Sequence, residues 1–184
     1  MCEYCGCQEV TAIKELTREH DLVVALIAQV RAASAAGDLP AMAALATRMA
    51  TILSPHTVVE EDGLFPALAG EFPDQVAALH AEHRRIAAVL GEAAAGPPAD
   101  PMWPARLTET LELLREHILK EQDGVFPAAL SSLSPAQWDA VDDVRSRAGS
   151  LPAQSGPSAL AEPIVLSNDL LRASGISVPD PAAM

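Results

Sequence analysis

Hydrophobic residues recur at intervals of three, four or seven along the first part of the chain. Between residues 11 and 36 they are Ile13, Leu16, Val23, Leu26, Ile27 and Val30. This spacing places them on one face of an α-helix. Similar stretches between Gly- and Pro-rich breaks predict helices over residues 39–64, 72–94 and 103–125. Ser134-Pro135 is typical of the start of a short fifth helix reaching residue 148. The pattern predicts an all-α, antiparallel up-down-up-down four-helix bundle.

The two ends of the chain differ from this helical middle. Residues 149–184 are rich in Pro, Ser, Ala and Gly, which predicts an extended or disordered tail. An apolar run at residues 164–171 is the one part of the tail suited to docking on the bundle or on a partner. We therefore divide the chain into a Cys-rich segment at 1–10, a bundle at 11–148 and a tail at 149–184.

All three cysteines lie in the first seven residues, as Cys2, Cys5 and Cys7. An odd number without partners elsewhere argues against a structural disulfide framework. Three thiolates also fall short of the four ligands of a structural zinc site. The cluster could complete a site across a dimer, respond to redox state, or be a frayed terminus.

The overall charge is strongly negative. The 184 residues include 12 Lys and Arg against 25 Asp and Glu, a formal net charge of −13. Nucleic acid and anionic membranes would be repelled, so neither is an expected partner. The longest apolar stretch, residues 22–30, is well short of the ~20 residues of a membrane-spanning helix. With no secretory signal visible, we expect a soluble, cytoplasmic monomer or homodimer.

An internal repeat is the strongest feature of the sequence. The twelve residues from His56 to Ala67 match those from His117 to Ala128 at seven positions, with a constant offset of 61. Earlier in each half, at an offset of 63, four positions also correspond: Leu16, Glu19, His20 and Val23 with Leu79, Glu82, His83 and Ile86. Each half thus carries one His on its first helix and a His-x-x-x-Glu on its second.

Helical spacing directs these repeated residues to one place. A His and a Glu four positions apart share a helix face, and His20 and His83 lie in apolar stripes that face inward. Buried carboxylates without partners would cost several kcal/mol each, and a metal removes that cost. Imidazole with carboxylate suits iron, zinc or manganese, and bridging carboxylates favour a pair of ions. The predicted ligands are His20, His56, Glu60, His83, His117 and Glu121.

Simpler interpretations exist for each part of this set. The alternatives to a metal pair are a metal-free bundle with hydrogen-bonded core histidines and a zinc or mononuclear site. Three glutamates precede a histidine by one residue, about 100° around the helix, and are expected on a solvated face: Glu19, Glu82 and Glu116. Glu61 is also expected to be exposed. Asp-Gly followed by Phe-Pro, at 62–66 and 123–127, is expected to end each second helix.

The six residues carry a resemblance to a known family. His20, His56-x-x-x-Glu60, His83 and His117-x-x-x-Glu121 resemble the hemerythrin-like family, also described as the HHE cation-binding domain, over roughly residues 10–130. The resemblance implies a non-heme di-iron centre in which the four histidines are terminal ligands. Glu60 and Glu121 would bridge two iron ions, and an oxo or hydroxo group would complete the bridge.

The sequence departs from the oxygen-carrying hemerythrins in two ways. Those proteins have five ligand histidines, and their last carboxylate is an Asp five residues after the last histidine. Here Glu121 follows His117 by four residues, and the third helix offers His80 and His83, three apart. His80 is a candidate additional ligand because i,i+3 neighbours share a face. If His80 does not ligate, more open positions favour reactivity over reversible oxygen carriage.

Three classes of function follow from the resemblance. The first is binding or sensing of O₂, hydrogen peroxide or nitric oxide at the iron pair, with the N-terminal thiols reporting redox state. The second is a di-iron oxidoreductase that decomposes hydrogen peroxide or reduces nitric oxide. The third is iron sensing or buffering, in which metal loading orders the bundle.

Overall fold

The computed structural model describes residues 10–149, and this part of the chain is helical without any strand. Two single π-helical turns, at Glu60–Leu64 and Glu121–Val125, interrupt the α-helices. The α-helices are α1 Thr11–Ala35, α2 Leu39–Val59, α3 Phe65–Leu68, α4 Pro73–Gly91, α5 Trp103–Lys120, α6 Phe126–Ser132 and α7 Pro135–Ala148. The predicted all-α fold is confirmed.

Local signals set the ends of these helices where the sequence predicts them. After α1 the chain turns at Gly37, whose φ of 67° is a left-handed conformation that glycine adopts without strain. The Asp38 side chain then accepts a hydrogen bond of 2.9 Å from the Ala41 amide and caps α2. At the start of α7, Ser134 and Gln137 form a capping box.

The Asp-Gly-x-Phe-Pro motif does not end a helix, and that prediction was wrong. In both copies the helix widens into a π turn that begins at the motif glutamate, Glu60 or Glu121. It then resumes as α3 or α6, with proline in the first turn. Proline is tolerated there because the amides of a first turn need no intrahelical acceptor. Each copy therefore continues through the motif.

Four long helical rods make the bundle. α1 packs on α2, α4 packs on α5, and the pairs meet through α2 with α4 and α1 with α5. α7 covers one side, against α2, the first π turn and α1. A hydrophobic cluster joins α7 to the bundle, and its fully or nearly buried members include Ile13, Leu16, Val59, Leu64, Phe65, Phe126, Val141 and Val144.

Two further predictions concern membrane-spanning helices and the two ends of the chain. Among the described helices, none combines the length and apolar character needed to cross a membrane. The cysteine cluster of Cys2, Cys5 and Cys7 lies outside the described residues, and so does the tail beyond residue 149.

Candidate metal centre

Four histidine side chains point their Nε2 atoms at two glutamates in the middle of the bundle. His56 Nε2 is 3.3 Å from Glu60 Oε1, and His83 Nε2 is 3.4 Å from Glu60 Oε2. His20 Nε2 is 3.1 Å from Glu121 Oε2, and His117 Nε2 is 2.9 Å from Glu121 Oε1. The structure thus brings together the six predicted ligands: His20, His56, Glu60, His83, His117 and Glu121.

The two glutamates are shared between two groups of potential ligands. We call His20 and His56 with both glutamates the first site, and His83 and His117 with both glutamates the second site. In each site, ligand atoms of all four residues lie within 4.8 Å of one another. Glu60 and Glu121 each turn one oxygen toward a histidine of the first site and the other toward the second. Carboxylates placed in this way could contact metal ions in both sites.

The donor atoms fit a metal better than they fit one another. Glu60 and Glu121 are fully buried, yet none of their four oxygens has a hydrogen-bond partner of good geometry among the described residues. The Nε2 atoms of His56 and His83 also lack a hydrogen-bond partner among the described residues. Unpaired buried polar atoms are rare because each costs about 1–3 kcal/mol. A metal with bonds of about 2.0–2.2 Å would use these lone pairs, and neighbouring ligand atoms would then lie about 3 Å apart.

The electrostatics of the centre favour positive charge between the carboxylates. Burial alone would lower the pKa of His56, but the Glu60 carboxylate and the hydrogen bond to Glu19 raise it to about 10. Burial likewise opposes the shift at His83, where the nearby Glu121 and Glu60 carboxylates raise the pKa to about 10. The pKa of Glu121 is well below its usual range, against the effect of burial, because three histidines surround it. Protons or cations can therefore neutralise the same site.

The repeated motif also supplies an aromatic ring to the opposite half. Phe65 stacks on His83 with ring centroids 5.7 Å apart and an interplanar angle of 12°. Phe126 stacks on His20 at the same distance and 10°. The π turns carry the chain from each ligand glutamate to these rings. Each half therefore helps to orient the lone histidine of the other.

In the first site, Glu19 holds His56 from behind. Glu19 Oε2 accepts a hydrogen bond of 2.8 Å from His56 Nδ1, which leaves Nε2 free to bind a metal. Glu19 is fully buried, so the expectation of a solvated face was wrong. The buried face of α1 is wide enough to include Glu19, which lies three residues after buried Leu16. Its repetition at Glu82 was the available signal.

A buried cation from α7 completes this arrangement. Arg145 Nη1 and Nη2 donate to the two oxygens of Glu19 at 2.9 and 3.2 Å, and Arg145 Nε lies 3.3 Å from Glu15 Oε2. Burial opposes a fall in the pKa of Glu19, but His56 and Arg145 together lower it. Nothing in the sequence marks Arg145, because it lies 126 residues from Glu19.

In the second site, Glu82 and Glu61 accept hydrogen bonds from the two histidines, as Glu19 does from His56 in the first site. His117 Nδ1 donates to Glu82 Oε2 at 2.9 Å, and Lys120 donates to the other oxygen of Glu82. His83 Nδ1 donates to Glu61 Oε1 at 2.9 Å. Both glutamates are partly buried, which corrects the expectation that they are solvated. We call Glu19, Glu61 and Glu82 the outer carboxylates.

Two remaining histidine features break the symmetry of the centre. His80 belongs to neither site: its Nδ1 lies 3.1 Å from Glu61 Oε1, and its ring meets Phe65 edge-on. His20 Nδ1 has no hydrogen-bond partner among the described residues, unlike the Nδ1 atoms of the other three ligand histidines. The position equivalent to Glu61 in the repeat is Gln122. Glu116 is exposed, as predicted.

A cavity of about 320 Å³ reaches the centre from one side. All four ligand histidines line it, so it borders both sites. Apart from Ser54 and Thr57, the other described residues in its wall are apolar: Ala50, Leu53, Ile86, Ala87, Leu90 and Leu114. The wall offers two hydroxyls and no ionisable group besides the histidines.

Comparison with family models matches residues 11–129 to the hemerythrin HHE cation-binding domain. The chain belongs to this family. The resemblance drawn from the repeated His-x-x-x-Glu motif is thus confirmed, and the chain is a helical protein of a metal-binding family. All six ligand candidates of this HHE domain fall within the matched range, whereas α7 lies beyond it. Comparisons with curated proteins and with solved structures gave no match.

Proposed function

We propose that this HHE domain holds two iron ions and uses them to bind or sense O₂ or a reactive oxygen or nitrogen species. The observation that carries the proposal is the sharing of Glu60 and Glu121 between two sites, each with two histidines. Imidazole and carboxylate together suit iron, and this donor set supplies four protein atoms to each ion. A six-coordinate ion would keep positions for a small ligand, since His80 contacts Glu61 and belongs to neither group of potential ligands.

The lining of the cavity favours binding or sensing of a small molecule over an oxidoreductase activity. Apart from Ser54, Thr57 and the histidines, its wall is apolar, which suits small neutral molecules such as O₂, nitric oxide or hydrogen peroxide. Decomposition of hydrogen peroxide or reduction of nitric oxide requires proton transfer as well. In the wall, only the four ligand histidines could exchange protons near neutral pH, so the di-iron oxidoreductase remains the second candidate.

Iron content of matched variants tests the metal pair. Glu60→Ala and Glu121→Ala each remove a shared carboxylate, so we expect iron to fall from two ions per chain to one or none. Glu116→Ala is the matched control, because Glu116 is exposed and directly precedes His117. Unchanged iron content in either shared-carboxylate variant would refute the assignment.

The response to peroxide separates the candidate functions. A sensor should give a single change in the optical spectrum that azide or nitric oxide alters, whereas an enzyme should release O₂ continuously. A protein that shows neither response, yet loses thermal stability when iron is removed, would be an iron sensor or buffer.

A further inference from the structure

α7 lies outside the matched family range but places a charged side chain deep in the bundle. Arg145 is only 7% exposed and contacts both oxygens of Glu19. Two parallel N–H···O bonds fix the plane of the carboxylate as well as its position. A buried guanidinium needs such partners, since burying the charge alone would be strongly unfavourable.

A continuous set of contacts leads from Arg145 to the first site. Glu19 accepts a hydrogen bond from His56 Nδ1, and His56 Nε2 faces Glu60. Glu19, His56 and Glu60 are each at most 1% exposed. Water therefore competes with none of these contacts, and the orientation of the imidazole follows the position of α7.

Within residues 10–149, no helix covers the second site as α7 covers the first. Glu82 is held there by Lys120, whose side chain is 50% exposed. An ammonium is a point charge on a flexible stem and does not fix a carboxylate plane as a guanidinium does. Where α7 covers Gly63, the equivalent Gly124 lines an open cavity of about 420 Å³, together with Glu82 and Lys120.

We propose that Arg145 is a positioning residue that makes the two metal sites unequal. By fixing Glu19 it would hold His56 Nε2 on the first ion, while the second site depends on the half-exposed ammonium of Lys120. The inference rests on the proposed metal pair. It adds that α7 determines how strongly one of the two ions is held.

The test uses the full chain loaded anaerobically with two equivalents of ⁵⁷Fe(II). We expect two Mössbauer quadrupole doublets of equal area in the unchanged protein. Arg145→Met should alter one doublet and weaken one of the two ions at least about 10-fold in chelator competition. Arg145→Lys should restore part of that affinity. Lys120→Met is the matched variant, and it should leave the doublet sensitive to Arg145 unchanged.

Further variants separate positioning from loss of structure. Val141→Ala trims α7 where it is fully buried but keeps Arg145, so it should lower the Tm without changing either doublet. Should Arg145→Met fail to fold, Glu19→Gln combined with Arg145→Met removes both buried charges and should show the same loss at one ion.

Two results would overturn the inference. One is a single doublet in the unchanged protein, and the other is an Arg145→Met or double variant with both doublets and both affinities unchanged. Fewer than two irons bound to the unchanged protein would refute the proposed function instead, so the two failures are distinguishable.

Discussion

The two halves of the bundle present the same ligands but support them in different ways. In the first half, His56 rests on Glu19, which a buried Arg145 holds with two hydrogen bonds. In the second half, His117 rests on Glu82, which is held by a half-exposed Lys120. The repeat therefore fixes which atoms face the centre, whereas later elements decide how rigidly those atoms are held.

The comparison also extends to the surface behind each site. α7 buries Val59 and Leu64 of the first half, while their repeat equivalents Lys120 and Val125 remain partly open to solvent. Duplicated ligands thus occupy different dielectric surroundings. Charges in the first half are screened less by salt than those in the second.

Removing the metal should have the largest effect, because the two halves share the carboxylates that would bind it. At a free concentration 1,000 times the dissociation constant, each ion would stabilise the folded state by about 4 kcal/mol. We expect chelation to lower the Tm strongly, measured by circular dichroism under anaerobic conditions. His80→Ala is the control and should keep the full metal-dependent shift. A Tm that does not change on chelation would contradict a shared metal core.

The next largest difference should come from truncating Glu19 and Glu82, the outer carboxylates at equivalent positions of the two halves. Glu19→Ala leaves Arg145 buried without its two hydrogen bonds to Glu19, and losing one member of a buried pair costs about 3–5 kcal/mol. Glu82→Ala leaves a lysine that solvent can hydrate, so about 1 kcal/mol is expected. Urea unfolding of the metal-free variants measures both. Equal losses would show that the two supports are energetically the same.

Metal binding should release protons from both halves alike. In the metal-free protein the pKa values of His56 and His83 are raised to about 10, so both rings carry a proton at pH 7. A metal needs the neutral imidazole, and iron uptake should release about one proton for each of these rings. Affinity should therefore rise with pH until about pH 10. Calorimetry in buffers of different ionisation enthalpy counts the protons, and uptake without release would contradict these pKa values.

The smallest expected difference concerns the two motif glycines. Nothing among the described residues lies within 4 Å of a Cβ built on Gly124, so Gly124→Ala should stabilise the helix by about 0.5–1 kcal/mol. A Cβ on Gly63 would lie 3.4 Å from the Val141 backbone of α7, so Gly63→Ala should gain less. Thermal unfolding compares the two variants. A larger gain at Gly63 would show that α7 packs loosely there.

The sequence predicts the helices well, and it identifies the six residues that the structure brings together at the centre. Apolar periodicity indicates where each rod lies, and the offset of 61 between His56 and His117 identifies side chains that occupy equivalent positions. Family membership follows from the same motif. Periodicity and repetition are both visible in the sequence itself, so these predictions require no knowledge of packing.

The features that the sequence does not reveal depend on packing. A π turn adds one residue to a helical turn, and the Gly and Pro of the motif are also typical of a helix end, so the continuation through Phe65 and Phe126 is not visible in advance. Glu19 is buried because α7 covers it, and α7 is far away in the sequence. The partnership of Arg145 with Glu19 is a tertiary contact that no spacing rule indicates.

The exchange of aromatic rings between the halves bears on how such a centre could originate. Phe65 packs on a histidine of the second half, and Phe126 on one of the first. A single half, expressed as a peptide of about 60 residues, would hold a histidine without the phenylalanine ring that packs on it and a glutamate without the histidines of the second site. Such a peptide could assemble this centre only by pairing with another copy, so the fused chain has the architecture of a covalently joined dimer.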